Sequence, residues 1–426
     1  MPITSPTSKG KVCIVAAVNP SFKKSPLEKW IIHKIGSNSE SLIRKDLEDY
    51  QLKKLQATLS LVKAKSPFYQ QKLIEMPESI VNLKDWQHLP FTTADELKTY
   101  GLKMVTVSQG NIHRIVTLDT SGTSGSPKRC FFTKRDQSLT IDFFGIGMTC
   151  LVSAEDRVLI LLPGERPGSV GDLLHEGLNK QKISSIKYGA VDDIDKVMNL
   201  IHEQKISCLV GAPKQILALA RWSPVLGHPI PDTIRSVLLS TDHLPPAIAQ
   251  TLENTWGCKV FNHYGMTEMG LGGGVDCQAH YGLHMREADL YFEIIDPKTG
   301  EVLSDGEFGE VVFTTLTREG MPLIRYRTGD ISRFLPTPCP CDTNLKTMDW
   351  IRYRHADTIK LKNIELSLAD LDEVLFSIPE VLDFKVIVSN TNLVSLVFRI
   401  YTNKSSVDKS TIRDSLLSIP RLEKAF

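Results

Sequence analysis

The sequence has no apolar run near the ~18 residues needed to cross a bilayer, so nothing in it reads as a helical membrane span. It also lacks an excess of charge of either sign. The 50 Lys and Arg stand against 49 Asp and Glu, a net charge of +1. Without a basic run, the electrostatic footprint of a nucleic-acid binder is missing. Cysteine is scarce, with eight in 426 residues, too few for the disulfide framework of a small secreted domain. The stretch from Val12 to Val18, behind Lys9 and Lys11, has the minimum length of a signal-peptide core and no A-x-A-like cleavage site. There is no internal repeat and no low-complexity segment. These absences leave a cytoplasmic globular protein as the expectation. Its partners are then small molecules or other proteins, with a homodimer open and neither nucleic acid nor membrane expected.

What is present is enough apolar material, 42% of the chain, for a large core. At ~150 residues per unit the length suggests two or three compact parts. Residues 1–38 mix Ser, Thr, Pro and Lys and read as a tail or an added strand. From Ser39 to Ser66 apolar residues recur at helical spacing (Leu42, Ile43, Leu47, Leu52, Leu55, Leu59, Val62) until Pro67 stops them.

In the centre, short apolar runs alternate with helical stretches. Arg157 to Pro163, Ser207 to Pro213, Ser236 to Thr241 and Lys259 to Gly265 predict strands buried on both faces, the mark of a parallel α/β sheet. Ligands of such sheets sit beyond the carboxyl ends of the strands. Those ends carry Gly211-Ala212-Pro213, Ser240-Thr241-Asp242 and His263-Tyr264-Gly265, so three loops should converge on one crevice. Beyond Leu290 the pattern changes to alternating strands, Leu290 to Ile295 and Glu310 to Leu316, around the turn Asp296 to Gly300. From about residue 352 onward, a helix over Ser367 to Ser377, strands over Leu382 to Val388 and Leu393 to Tyr401, and a last helix from Val407 predict a small α+β domain. The fold class is therefore α/β: a tail (1–38), a large domain of mixed sheets with packed helices and an antiparallel β-rich part (39–351), and a small, shortened α+β domain (352–426).

Thr120-Ser121-Gly122-Thr123-Ser124-Gly125-Ser126-Pro127-Lys128 combines glycines that let backbone N–H groups approach an anion with hydroxyl donors and a point positive charge. Phosphate suits it. It is not a Walker A loop, because Pro127 stands five positions after Gly122 where that loop has its second glycine. By composition alone such a stretch is as readily a solvated turn.

This loop resembles the phosphate-loop signature of the adenylate-forming superfamily of acyl-CoA synthetases, luciferases and peptide-synthetase adenylation domains. Tyr264-Gly265-Met266-Thr267-Glu268 is similar to the second motif of that superfamily, and Tyr326-Arg327-Thr328-Gly329-Asp330 to the third, in the same order. The run from Gly282 through Glu293 to Pro297 and Phe313 to Thr317, up to Met321 to Arg327, most resembles the phenylacetate-CoA ligases. The likeness spans about residues 45 to 400.

The resemblance implies an AMP-forming carboxylate-CoA ligase, an acid-thiol ligase that turns an aryl or similar acid into an acyl-adenylate and then a thioester. ATP, Mg2+ and CoA are implied with it. An acyl-adenylate synthetase delivering to a protein or an amine, and a nucleotide binder without catalysis, fit the same motifs. Thr123, Lys128 and Glu268 take the catalytic roles, Glu268 also on Mg2+ with Thr267 beside it. Loop residues Thr120 to Gly125 hold phosphates. Tyr264 stacks on adenine, Asn262 and His263 lie at its edge, Gly265 gives close approach, and Ser240 and Thr241 line that side. Asp330 accepts the ribose hydroxyls, with Arg354 a second ribose or phosphate contact. Taken singly, Tyr264 reads equally as a core aromatic, Glu268 as a solvated acid and Asp330 as a turn former.

Cys277, His284, Cys339 and Cys341 form a second constellation with the sulfur and nitrogen donors that zinc prefers, and His280 is an alternative ligand. Similar cysteines bind a structural zinc in some phenylacetate-CoA ligase relatives. Phe143-Phe144-Gly145 and Gly270 to Gly274 fall where the family builds its acid pocket. The likeness weakens beyond residue 352. Where the family hinge carries Gly-Arg-x-Asp-Asp, this chain has Tyr353-Arg354-His355-Ala356-Asp357, and Lys424 near the end lacks the flanking motif of the family's adenylation lysine.

Overall fold

The computed structural model describes residues 22–118, 127–361, 364–390, 394–404 and 407–423. The expected phosphate-loop residues Thr120, Ser121, Gly122, Thr123, Ser124 and Gly125 lie outside them, as does Lys424.

Val, Leu and Ile with both faces covered make the inner central strands, and the partly exposed Ser184–Lys187 forms the edge. They are β1 (Arg157–Leu161), β2 (Ser184–Lys187), β3 (Cys208–Gly211), β4 (Ser236–Leu239) and β5 (Lys259–Tyr264). All five run parallel, in the order β2-β1-β3-β4-β5. The same sheet continues antiparallel through β6 (Gly274–Asp276), β7 (Leu283–Met285) and the short segment Thr347–Met348. Three-residue strands are too short to show periodicity, which is why β6 and β7 were not legible in the chain. A second sheet, fully antiparallel, joins β8 (Leu290–Ile295), β9 (Gly309–Thr315), β10 (Tyr326–Ser332) and Tyr353–Arg354.

The expectation of a tail over 1–38 fails for its described part. Residues Pro26–Lys34 form a helix, α1, started by proline in its first turn and burying Leu27, Ile31 and Ile32. These side chains join Phe143, Leu162 and Leu178 in one core cluster. Glu28 fastens the helix, accepting from Thr343 Oγ1 at 2.6 Å and from the backbone N–H groups of Asn344 at 2.7 Å and Leu42 at 3.1 Å. Nine residues hold too few turns for spacing alone to announce this helix. The longer α2 (Arg44–Lys65) follows the predicted face, burying Leu47, Leu55, Leu59 and Val62. Ile43 instead stands exposed at its N-cap.

Towards the C-terminus, α5 (Leu368–Phe376) turns Leu371, Leu375 and Phe376 onto α3 (Pro213–Trp222) and α4 (Pro246–Trp256), forming one cluster with Ile216, Leu217 and Ile248. Each such fully buried side chain contributes roughly 2 kcal/mol. Arg221 of α3 reinforces the contact by donating to the carbonyls of Phe376 and Val381. The C-terminal segment is thereby held over the carboxyl ends of β4 and β5, where the site lies.

Candidate functional site

A crevice of ≈ 620 Å³ opens beyond the carboxyl ends of β4 and β5. Thr241, Asn262, His263, Tyr264, Gly265, Asp330 and Arg354 all line it, so two of the three loops expected to converge do so, while Gly211 to Pro213 of the third stay outside and only the adjoining Lys214 reaches it. The backbone at this point is strained. Thr241 holds a φ of +76°, the left-handed region that a β-branched residue rarely adopts and that costs on the order of 1–3 kcal/mol. Gly265 is needed for a different reason: a Cβ there would lie 2.1 Å from the carbonyl oxygen of Leu271.

Asp330 lies within β10, not at a strand end, and is buried. It accepts from the Tyr264 hydroxyl at 2.8 Å and from Arg354 Nε at 2.6 Å. Strand pairing sets this up, because Asp330 stands directly across from Arg354 in the antiparallel register. Burial, and then the charge and hydrogen bond of Asp330, push the Tyr264 hydroxyl pKa far up, so it stays a donor. Burial works against the Arg354 charge, but Asp330 outweighs it and raises its pKa. A carboxylate offers about four lone-pair sites, so Asp330 keeps capacity for further donors.

Glu268 sits in a single 3₁₀ turn, Thr267–Met269, and is buried rather than solvated. Lys128, on the strand Lys128–Phe132, reaches its Oε1, and the Tyr326 hydroxyl donates to the same oxygen at 3.0 Å. Both hydrogen bonds fall on one oxygen. Among the described residues Oε2 is therefore the atom of this carboxylate left for a cation, and a carboxylate oxygen is the kind of ligand a hard divalent ion takes. Arg318 grips the carbonyl of Glu268 from behind while lying 4.3 Å over the ring of Phe132.

Beside the crevice is an apolar cavity of ≈ 30 Å³, lined by Phe143, Phe144, Met148, Leu162, Val210 and Val275 among others. That volume admits only a few methyl-sized groups, less than an aryl ring occupies. Ser240 and His263 bring the polar atoms of its wall, and His263 lines both spaces. Ser240 thus faces the cavity rather than the crevice side expected of it.

The four presumed zinc ligands also meet. One ligand atom from each of Cys277, His284, Cys339 and Cys341 lies within 4.8 Å of all the others, and all four residues are buried. Cys277 Sγ and Cys339 Sγ are 3.7 Å apart, and Cys341 Sγ is 3.3 Å from His284 Nε2. A tetrahedron with bonds of ~2.3 Å has edges of ~3.8 Å, so the donors fit zinc, whereas a disulfide requires ~2.05 Å. His284 Nδ1 faces Thr347 Oγ1 at 3.4 Å, leaving Nε2 for the metal. His280 is held elsewhere, with Nδ1 3.0 Å from Asp276.

Sequence reasoning missed Lys214 and Asp372 and gave no crevice role to Tyr353 and Asp357 of the hinge segment; with the expected Asp242 they complete the crevice. Tyr326 was quoted in a motif but given no role. Nothing local marks these residues, since each is brought in by packing.

Comparison with known proteins now bears on this geometry. Residues 47–316 match the model of the family described as AMP-binding enzyme, well over half of the chain. The chain belongs to the AMP-binding enzyme family. Within this adenylate-forming family it is phenylacetate-CoA ligase-like. It is 29% identical over 355 residues to a phenylacetate-coenzyme A ligase of Thermus thermophilus, covering 80% of this chain and 78% of the relative. A second such ligase, from Aromatoleum evansii, is 29% identical over 314 residues, covering 71% and 69%. Among solved structures, a 2-hydroxyisobutyryl-CoA ligase in its postadenylation state superposes with a TM-score of 0.76 at 17% identity, covering 89% of this chain and 85% of that one. The fold of this AMP-binding enzyme is therefore that of known CoA ligases, and the expected α/β class stands.

Proposed function

We propose that this AMP-binding enzyme is an AMP-forming carboxylate-CoA ligase acting on an aryl or similar carboxylic acid. The observation that carries it is the shared wall between a polar crevice ending in Tyr264, Asp330 and Arg354 and an apolar cavity behind Phe143 and Phe144. A nucleotide in the first and an acyl group in the second would bring carboxylate and α-phosphorus together at that wall. Phenylacetate-coenzyme A ligases as relatives support the same reading.

The acid's carboxylate oxygen attacks the α-phosphorus, pyrophosphate leaves, and the CoA thiol then attacks the acyl-adenylate carbonyl. Asp330 would receive the ribose hydroxyls, Tyr264 and Asn262 the adenine. Lys128 would leave Glu268 for phosphate oxygens. Glu268 Oε2 would hold Mg2+, whose charge when bound offsets that of the phosphates. Positioning and charge neutralisation carry this chemistry more than acid–base work does. Cys277, His284, Cys339 and Cys341 would hold a structural Zn2+ away from the reacting atoms. The small C-terminal part is proposed to begin near Arg352.

Glu268→Gln should abolish acid-dependent pyrophosphate release; unchanged release would remove Glu268 from the metal role. Running the same assay on a panel of aryl and aliphatic acids, with and without CoA, tests the activity. Release with no thioester formed would favour a protein or amine acceptor instead.

A further inference from the structure

The geometry points to His263 as the group that selects the acid, its Nε2 hydrogen-bonding a hydroxyl or keto oxygen on the carbon next to the substrate's carboxyl group. This rests on the ligase reading above. His263 Nδ1 is 2.8 Å from Ser240 Oγ, and those two atoms satisfy each other. Nε2 is buried and has no hydrogen-bond partner among the described residues. Leaving a buried polar atom unpaired costs about 1–3 kcal/mol, and such atoms in a well-packed fold call for an explanation. Here the surroundings offer one. The ring packs against Phe143 and Phe144, with centroids 6.2 and 5.7 Å away, in the wall between cavity and crevice.

A group in that wall reaches atoms close to the bond that joins acid to phosphate, not the far end of the acyl chain. Burial lowers the imidazole pKa to about 4, so the ring is neutral at physiological pH and makes no ion pair with the carboxylate. A neutral imidazole nitrogen pairs with a neutral oxygen. A hydroxyl serves either tautomer, because it can accept from Nε2–H or donate to bare Nε2. A keto oxygen requires Nε2–H, with the Ser240 hydroxyl donating to Nδ1. An acid without such an oxygen would leave Nε2 unpaired inside a closed site, and sites built to hydrogen-bond a substrate discriminate strongly on that ground.

The test uses the full-length enzyme and matched acids differing only by the α-hydroxyl: 2-hydroxypropanoate against propanoate, and 2-hydroxy-2-phenylacetate (mandelate) against phenylacetate. Pyrophosphate release should favour the hydroxy acid in kcat/KM by at least about tenfold in each pair that turns over. His263→Leu should bring that ratio to within about threefold of unity, with the KM for ATP moving less than threefold. His263→Gln, which keeps a side-chain amide donor and acceptor, should retain part of the preference. Equal turnover of the paired acids by the unaltered enzyme would overturn the inference even if neither variant folds. So would a preference that survives His263→Leu, or a uniform loss on all acids with a raised KM for ATP, which would place His263 on the nucleotide. No pyrophosphate release with any acid on a broad panel would sink the ligase reading itself, and this inference with it.

Discussion

Tyr264 donates its phenolic hydrogen to Asp330 over 2.8 Å, across 66 positions of chain. The bond ties the end of β5 in the parallel sheet to β10 in the antiparallel one, so the two sheets share one polar corner. Arg354 closes it from the other side at 2.6 Å.

Removing the carboxylate from that corner should weaken nucleotide binding more than it weakens the fold, because Arg354 is 45% exposed and can be solvated when unpaired. Asp330→Ala is expected to raise the dissociation constant for ATP by roughly 10- to 100-fold, the range of one or two hydrogen bonds to a charged group. Titration calorimetry measures it. An unchanged constant would take Asp330 out of the nucleotide site.

The four-ligand cluster predicts one equivalent of zinc in protein purified without added metal. Less than a tenth of an equivalent would end that assignment. Cys341→Ser should lower both the zinc content and the melting temperature, the latter by roughly 5 °C or more, since metal binding free energy is folding free energy. A full zinc complement in the serine variant would show that the metal sits elsewhere.

Arg221 holds the C-terminal segment through the carbonyls of Phe376 and Val381, while its own Nε stays unpaired and burial lowers its pKa to about 10. Arg221→Ala removes a donor from each of two buried carbonyls, a loss of about 1–3 kcal/mol for each one left unpaired. Limited proteolysis should then cut within residues 364–423 faster than in the parent, with the α2 to β10 region remaining intact. Equal cleavage rates would mean that the apolar cluster alone holds the segment.

Asp372 gives a pH signature. Burial raises its carboxyl pKa to about 7, opposed by Lys214 and reinforced by Asp242, Asp383 and Asp357. An unfolded aspartate titrates near ~3.9, so between about pH 4 and 7 the native state keeps a proton that the unfolded chain has lost. Stability from this group therefore falls as pH rises through that window. Asp372→Asn should match the parent near pH 4 and exceed it at pH 8, by at most ~4 kcal/mol. Urea unfolding of both proteins at the two pH values checks this, and parallel pH profiles would refute it.

Much of the fold was legible because its signals are local. Leu159, Ile160, Val210 and Leu238 announce strands covered on both faces, and their order along the chain fixes where the crevice must open. Residue type likewise announced Cys277, His284, Cys339 and Cys341 as a set. Three-residue β6 and β7 and the nine-residue α1 were illegible, because so short a stretch completes too few periods.

The sequence by itself determined the alternation of strands and helices and the chemistry available to the site, since both reside in neighbouring residues. Only the tertiary structure decided which groups face one another: Lys128 against Glu268, 140 positions away, Asp330 between Tyr264 and Arg354, and His263 with one nitrogen satisfied and the other not. Those pairings follow from strand register and the closing of the core over long chain separations, and no local pattern of residues encodes them.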